Sequence, residues 1–201
     1  MLNEIRPAIV MLALFTLLTG LVYPLAITGV AQLAAPGRAN GSLVSLSGPP
    51  VGSALIGQNF SSDKYFHGRP SATSAADPND ASKTIDAPYN AANSSGSNLG
   101  PTSQKLIDRV KASVDAMRAA GFGGAIPADS VTTSASGLDP HISPVFALAQ
   151  IASVAKARNL PEDKLRILVE SRIENRALGL IGEPRVNVLL LNMALDALSS
   201  S

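Results

Sequence analysis

The sequence predicts an α+β protein: one N-terminal transmembrane helix followed by a single soluble α+β domain, helix-rich in its C-terminal half. Three observations predict it. Pro7 to Gly37 holds no charged side chain. Residues 59–101 are dense in Ser, Asn, Asp, Gly and Pro, yet carry Phe60, Tyr65, Phe66, Tyr89 and Leu99 at intervals. From Ser103 onward, apolar residues recur at helical spacing.

The apolar stretch comes first. A hydrocarbon core of roughly 30 Å needs about 20 apolar residues in a helix, so the run is long enough to span with turns to spare. A cleaved signal peptide has an apolar core of only about 7–15 residues and a small-x-small site. Here the run is too long and lacks Ala-x-Ala, so retention as an anchor is expected. The boundaries drawn are a short cytoplasmic tail at 1–6, a transmembrane helix at 7–35 and an extracytoplasmic soluble domain at 36–201. Pro7 suits a first helical turn, whereas Pro24 lies inside the helix and is expected to kink it. Thr16, Thr19, Gly20, Tyr23 and Pro24 form a small and polar stripe that is expected to receive another helix, since close approach and interhelical hydrogen bonds drive association in lipid. Arg6 before the span and Arg38 after it nearly balance, and the free amino terminus tips the orientation to N-terminus inside.

Composition narrows the class of the remainder. Residues 38–201 have the size of one ordinary domain. The formal net charge is +1, with Lys and Arg scattered, and no basic patch is interleaved with aromatics, so nucleic acid is set aside. The chain has no cysteine, which fits an exported domain without disulfides and a cytosolic one equally.

The elements follow in order. Residues 36–58 alternate turn residues with short apolar runs and read as a linker leading into two short strands, at Leu43–Leu46 and Ala54–Gln58. Residues 59–101 read as an ordered but irregular region held by aromatics and by Asx and Ser turns. Ser103–Ala120 is an amphipathic helix with Leu106, Ile107, Val110, Val114 and Met117 on one face and Gly121 as its stop. Ser130–Ser134 has strand propensity, and Gly137-Leu138-Asp139-Pro140 turns the chain. A second helix is expected from Ser143 as N-cap and Pro144 as first residue to about Arg158, and a third opens at Pro161-Glu162-Asp163. The last, from Asn187, is largely apolar and should be buried.

Catalytic chemistry is poorly supported. With only His67 and His141 and no cysteine, no metal-ligand spacing is present. A Ser97, His141 and Asp139 hydrolase set is disfavoured, because only Pro140 separates Asp139 from His141 and no Gly-x-Ser-x-Gly elbow occurs. Ser94-Ser95-Gly96-Ser97-Asn98-Leu99-Gly100-Pro101 has the freedom of an anion cradle, but the Lys of a phosphate loop is missing, and a tight turn is the plainer reading. Arg69 either grips a carboxylate or closes a surface ion pair. The acids Glu162, Asp163 and Glu170 sit among Lys164, Arg166 and Arg172 as a solvated face.

Several blocks nevertheless stand together: Tyr23-Pro24, Gly57-Gln58-x-Phe60, Tyr65-Phe66-His67-Gly68-Arg69-Pro70-Ser71-Ala72, Tyr89-Asn90, Ser94 to Pro101, Gly137-Leu138-Asp139-Pro140-His141-Ile142-Ser143-Pro144 and Gly182-Glu183-Pro184-Arg185-Val186-Asn187-Val188-Leu189. In this order, over nearly the whole chain, they resemble the C subunit of the Kdp-type potassium-transporting ATPase. Thr133 departs from the pattern, where the family favours alanine.

The resemblance implies a non-catalytic accessory subunit of a bacterial inner-membrane potassium importer. Its expected partners are a channel-like potassium-binding subunit, a P-type ATPase subunit, a small membrane subunit and membrane lipid. ATP and potassium then belong to the complex, and no cofactor is assigned to this chain, which lacks both the Asp-Lys-Thr-Gly-Thr motif and a selectivity-filter sequence. Two roles are proposed for the family: a catalytic chaperone raising the ATP affinity of the pump subunit, and an assembly factor whose head covers the outer ion entrance. Partner contact is expected at the stripe Thr16, Thr19, Gly20, Tyr23 and Pro24. It is also expected at the loop residues Tyr65, Phe66, His67, Gly68, Arg69, Ser95, Gly96, Ser97, Asn98, Asp139, His141, Glu183, Arg185 and Asn187. The rival from another class is a membrane-tethered periplasmic enzyme.

Overall fold

The computed structural model describes residues 2–46 and 48–199. Met1, the first residue of the expected tail, and Ser47 lie outside them. The chain divides into two compact units, Met1–Ser53 and Ala54–Ser201.

The first unit is led by α1 (Leu2–Leu17), a π turn (Leu18–Val22) and α2 (Tyr23–Ala34), which run on as one apolar helix. None of its most apolar window is buried within the chain, as an apolar helix that finds its solvent elsewhere requires. Pro24, expected to kink the helix, is preceded by a π turn. Proline brings no N–H to the Gly20 carbonyl and its ring crowds that oxygen. The helix widens there, and the Tyr23 N–H reaches back five residues to the Leu18 carbonyl. A short α3 (Pro36–Ala39) follows, then β1 (Leu43–Ser45) and β2 (Pro50–Ser53), paired antiparallel with Val44 opposite Gly52. The second strand thus falls earlier than the Ala54–Gln58 expected from the sequence. The Gly57 N–H is instead donated to the Leu138 carbonyl at 2.8 Å, which commits that stretch to the second unit.

In the second unit, the region read as irregular contains a hairpin, β3 (Ser74–Asp77) with β4 (Asp80–Asp86). Its turn is an Asx turn in which the Asp77 carboxylate accepts from the Asn79 N–H at 2.8 Å. Next come α4 (Gln104–Ala119), α5 (Ala128–Val131), β5 (His141–Ile142), α6 (Pro144–Ala149), α7 (Ile151–Arg158), α8 (Glu162–Ser171), β6 (Ile173–Glu174), β7 (Arg185–Asn187) and α9 (Val188–Ser199). Strands β5, β7 and β6 form one antiparallel sheet with β7 in the middle. The core gathers Phe66, Ile142, Phe146, Ile151, Val154, Leu165, Val169, Val186, Leu191 and Leu195 from loop, sheet and helices. Burial of side chains of this size, each worth about 1.5–3 kcal/mol against exposure, makes the packed helices the main source of stability. The fold is α+β and helix-rich towards its C-terminus, as the sequence predicts.

Two local expectations change. The strand-prone Ser130–Ser134 begins inside α5, because Ser130 turns its hydroxyl back to the Pro127 carbonyl at 2.6 Å and Thr132 to Ala128 at 2.7 Å, closing a helical turn. The helix expected from 144 to 158 is two, α6 and α7, meeting at Gln150. Its start is as expected: the Ser143 hydroxyl caps α6 by accepting from the Phe146 N–H at 3.1 Å, with Pro144 following.

Candidate functional site

The sequence blocks that read as motifs meet in the head, where their polar atoms bond to one another and to the helices around them. Two buried amides clamp the 65–72 block. The Asn192 side chain accepts from the Phe66 N–H and donates to the Phe66 carbonyl, each at 2.9 Å. Gln150 does the same for His67, at 2.7 and 3.1 Å. Asn192 sits on α9 and Gln150 at the α6–α7 junction, so a loop without regular structure is tied to the helical core through the backbone of two successive residues. Tyr65 is held in the same way: its hydroxyl donates to Asp196 at 3.2 Å, and the Arg158 guanidinium lies 4.7 Å over its ring.

Tyr89 is the second organising residue. Its backbone stands at φ 61°, in the region that favours glycine. Its hydroxyl donates to the Arg69 carbonyl at 2.7 Å, while its N–H donates to the Ser71 hydroxyl at 3.0 Å. The ring passes so close to Gly57 and Gly68 that a Cβ at either would overlap it, which explains both glycines in physical terms. Burial pushes the Tyr89 hydroxyl up to about 12, with help from the neighbouring Asp139 charge.

The 94–101 block packs on 133–137 rather than forming a free cradle. The Ser95 N–H and the Ser94 hydroxyl both donate to the Ser136 carbonyl at 3.0 Å, and a Cβ at Gly96 would strike the Ala135 carbonyl. Asn98 takes φ 50° in the turn. Thr133 points its hydroxyl to Ser97 at 3.4 Å, so the departure noted in the sequence adds a contact between the two segments.

A charged chain of contacts runs across the sheet end. Arg69 reaches the Asp139 carboxylate at 3.2 Å. The imidazole of His141 lies 3.5 Å from Asp139 by Nδ1 and 3.9 Å from Glu174 by Nε2, and Glu174 accepts from Arg185 at 3.0 Å. Burial alone would raise the Asp139 carboxyl. Hydrogen bonds from the His141 ring and N–H, together with the Arg69 charge, outweigh it and hold the group below the usual carboxylate range. Arg69 therefore closes an internal ion pair and grips a carboxylate of its own chain. Asn187 spends its amide on the Ala54 carbonyl at 2.8 Å and on capping the Leu190 N–H at 3.1 Å. Glu183 pairs with Arg176 at 2.6 Å.

A cleft of about 580 Å³ opens beside these blocks, with Phe60, Tyr65, Met117 and Phe146 among its apolar walls and Asp63, His67 and Arg69 among its polar ones. Ser97, whose hydroxyl contact is with Thr133, is not a lining residue of it, and although Asp139 and His141 meet, no contact among the described residues joins Ser97 to them. No group of three or more His, Asp or Glu side chains among the described residues is placed to hold a metal ion. In the first unit, Thr16 and Gly20 join Ile9, Leu12, Ala13, Leu17 and Leu21 in a shallow groove along the helix. Thr19 turns its hydroxyl into its own helix, onto the Phe15 carbonyl at 2.6 Å, and Tyr23 and Pro24 lie beyond the groove, past the π turn. Sequence reasoning missed Gln150, Asn192 and Ser71 as organising residues. The signal for the first two was an isolated amide within an otherwise apolar helical face.

Comparison with known proteins matches residues 5–197 to a family model described as KdpC, the c chain of a K+-transporting ATPase. The chain is 62% identical over 196 residues to a protein of Bradyrhizobium diazoefficiens named potassium-transporting ATPase KdpC subunit, covering 98% of each. It is 64% identical over 197 residues to a protein of the same name from Rhodopseudomonas palustris strain BisB18, covering 98% of this chain and 99% of the relative. A relative of that name from Methylobacterium nodulans is 62% identical over 199 residues, with 99% of each covered.

Proposed function

The chain belongs to the KdpC family, the c chain of K+-transporting ATPases, and from that premise we propose that it is a non-catalytic accessory subunit of an ATP-driven potassium importer. Its helix fastens it beside a channel-like potassium-binding subunit and a P-type ATPase subunit of the same complex, and a small membrane subunit is a further neighbour. The head lies outside the cytoplasmic membrane and covers the outer ion entrance.

The observation that carries this reading is the 32-residue apolar helix Asn3–Ala34, whose most apolar window is not buried at all within the chain. Such a helix needs lipid or other helices around it. The groove floored by Thr16 and Gly20 lets a neighbouring backbone come close. The head supports a structural role as well, since Arg69, Asp139, His141, Glu174 and Arg185 engage one another, an arrangement that builds a rigid surface. Because ATP is cytoplasmic, an outside head cannot touch nucleotide, so any gain in the ATP affinity of the pump subunit passes through the membrane subunits as a coupling between sites. This favours assembly and entrance covering over a direct chaperone contact.

The test is purification from membranes in mild detergent. Co-elution with a P-type ATPase and a channel-like subunit is expected. An isolated monomer with hydrolase activity would instead establish the tethered periplasmic enzyme.

A further inference from the structure

Between β6 and β7 the chain leaves the head in an arm, residues 175–184, whose end is apolar and turned to solvent. Leu178, Leu180 and Ile181 are 91%, 83% and 66% exposed. Outside the anchor, soluble surfaces rarely gather three large aliphatic side chains at one tip without a use for them. The tip is also well formed. Ala177 and Ile181 exchange backbone hydrogen bonds at 2.9 and 3.0 Å, and the Leu180 N–H donates to the Ala177 carbonyl at 3.1 Å. Leu178 stands at φ 53°, where glycine is favoured, with Gly179 and Gly182 also at positive φ beside it. A leucine kept in that backbone region, with its side chain in solvent, does nothing for the packing of its own head.

The charges around the tip decide what it meets. Arg176 is paired with Glu183 at 2.6 Å and Arg185 with Glu174 at 3.0 Å, so the arm is neutral and its cations are engaged. A loop that docks on lipid presents basic groups to headgroups and aromatic rings to the interface. This arm offers neither: residues 175–184 contain no Phe, Tyr or Trp. A stiff aliphatic knob with a neutral neck suits a shaped recess on another protein, where preorganisation spares ordering cost.

We propose that the Leu178–Ile181 tip is a docking knob that inserts into an apolar, uncharged recess on the extracytoplasmic surface of another subunit of the transport assembly. The proposal rests on the accessory-subunit reading above and adds the element by which the head, as distinct from the anchor, holds its partner.

The test places a benzoylphenylalanine crosslinker at Leu180 of the full chain, expressed with the other subunits, and irradiates intact membranes. Expected is an adduct with one other subunit, and none from the same probe at Asp163, an exposed position on α8. In a second arm, Leu178→Ser, Leu180→Ser and Ile181→Ser combined lower the fraction of chain retained with its partners by about tenfold or more, the scale of a lost interface anchor. Circular dichroism of that variant matches the wild type, since all three side chains are exposed. Adducts with lipid alone overturn the knob in favour of bilayer contact. Co-elution of the wild type without any adduct at Leu180 overturns it while leaving the accessory role standing. Failure of the wild type to co-elute removes the accessory role, and the knob with it.

Discussion

The Arg69 guanidinium and the Asp139 carboxylate, 70 positions apart, meet at 3.2 Å and tie the 65–72 block to the 137–144 block. Asp139 also receives the His141 N–H at 3.0 Å. Replacing it with asparagine leaves a guanidinium that is only about one-quarter exposed without its counter-charge. Asp139→Asn is expected to cost about 1–2 kcal/mol, a discounted value because both partners keep some contact with water. The folded pKa of Asp139 is depressed, so its stabilising effect is present above the unfolded value near 3.9 and is lost as pH falls through the lowered one. Thermal unfolding should therefore separate wild type from variant at neutral pH, and the gap should close progressively as pH falls below about 4 and on through the depressed folded value.

Gly68 and Tyr89 make a directed test of packing. A Cβ at Gly68 would overlap the Tyr89 hydroxyl, and little else is near it. Gly68→Ala should cost about 1–3 kcal/mol by overpacking. Tyr89→Phe removes the overlapping oxygen and also a hydrogen bond to Arg69, so the double variant should be less damaged than the sum of the singles. Tyr89 also sets an alkaline limit. Its folded pKa is raised to about 12, so its contribution is complete below the unfolded value near 10 and disappears as pH rises from there through 12. Denaturant midpoints across that window should fall more steeply for wild type than for Tyr89→Phe.

Asn192 is 1% exposed and satisfies both the N–H and the carbonyl of Phe66. Asn192→Leu keeps the volume but strands two buried backbone groups, for an expected loss of about 2–4 kcal/mol in urea unfolding. Asn192→Asp should restore the acceptor side alone and fall short of wild type.

How legible this was depended on the range of the cause. The long apolar N-terminal helix, the amphipathic α4, the Ser143 cap and the acidic start of α8 are local patterns, and each was readable. The β3–β4 hairpin was hidden because its strands, Ser74-Ala75-Ala76-Asp77 and Asp80 to Asp86, lack the alternation of large apolar residues that marks a half-buried strand, and only the Asp77 to Asp80 turn announced it. The break at Gln150 was hidden because its cause is a loop 83 residues away, whose His67 backbone needs that amide. Pairing of Arg69 with Asp139 could be named only as one of two options, since sequence shows which charges exist and not which meet.

The helix groove yields a prediction that separates folding from assembly. A Cβ at Gly20 meets nothing within the chain, so a larger side chain there costs the isolated protein little. Gly20→Leu should leave expression and head folding unchanged and reduce co-purification of the other membrane subunits. Unchanged assembly would move the partner contact off the Thr16 and Gly20 face.

The account turns on the head lying outside the membrane, where it can cover an ion entrance but not reach cytoplasmic nucleotide. The chain contains no cysteine, so a single Asp163→Cys supplies a unique label on the exposed surface of α8. Spheroplasts carrying the complete complex are treated with a membrane-impermeant maleimide, and the tagged chain is then recovered. Full labelling of intact spheroplasts, unchanged by lysis, is the predicted result. Labelling that appears only after lysis would place the head in the cytoplasm and contradict the account.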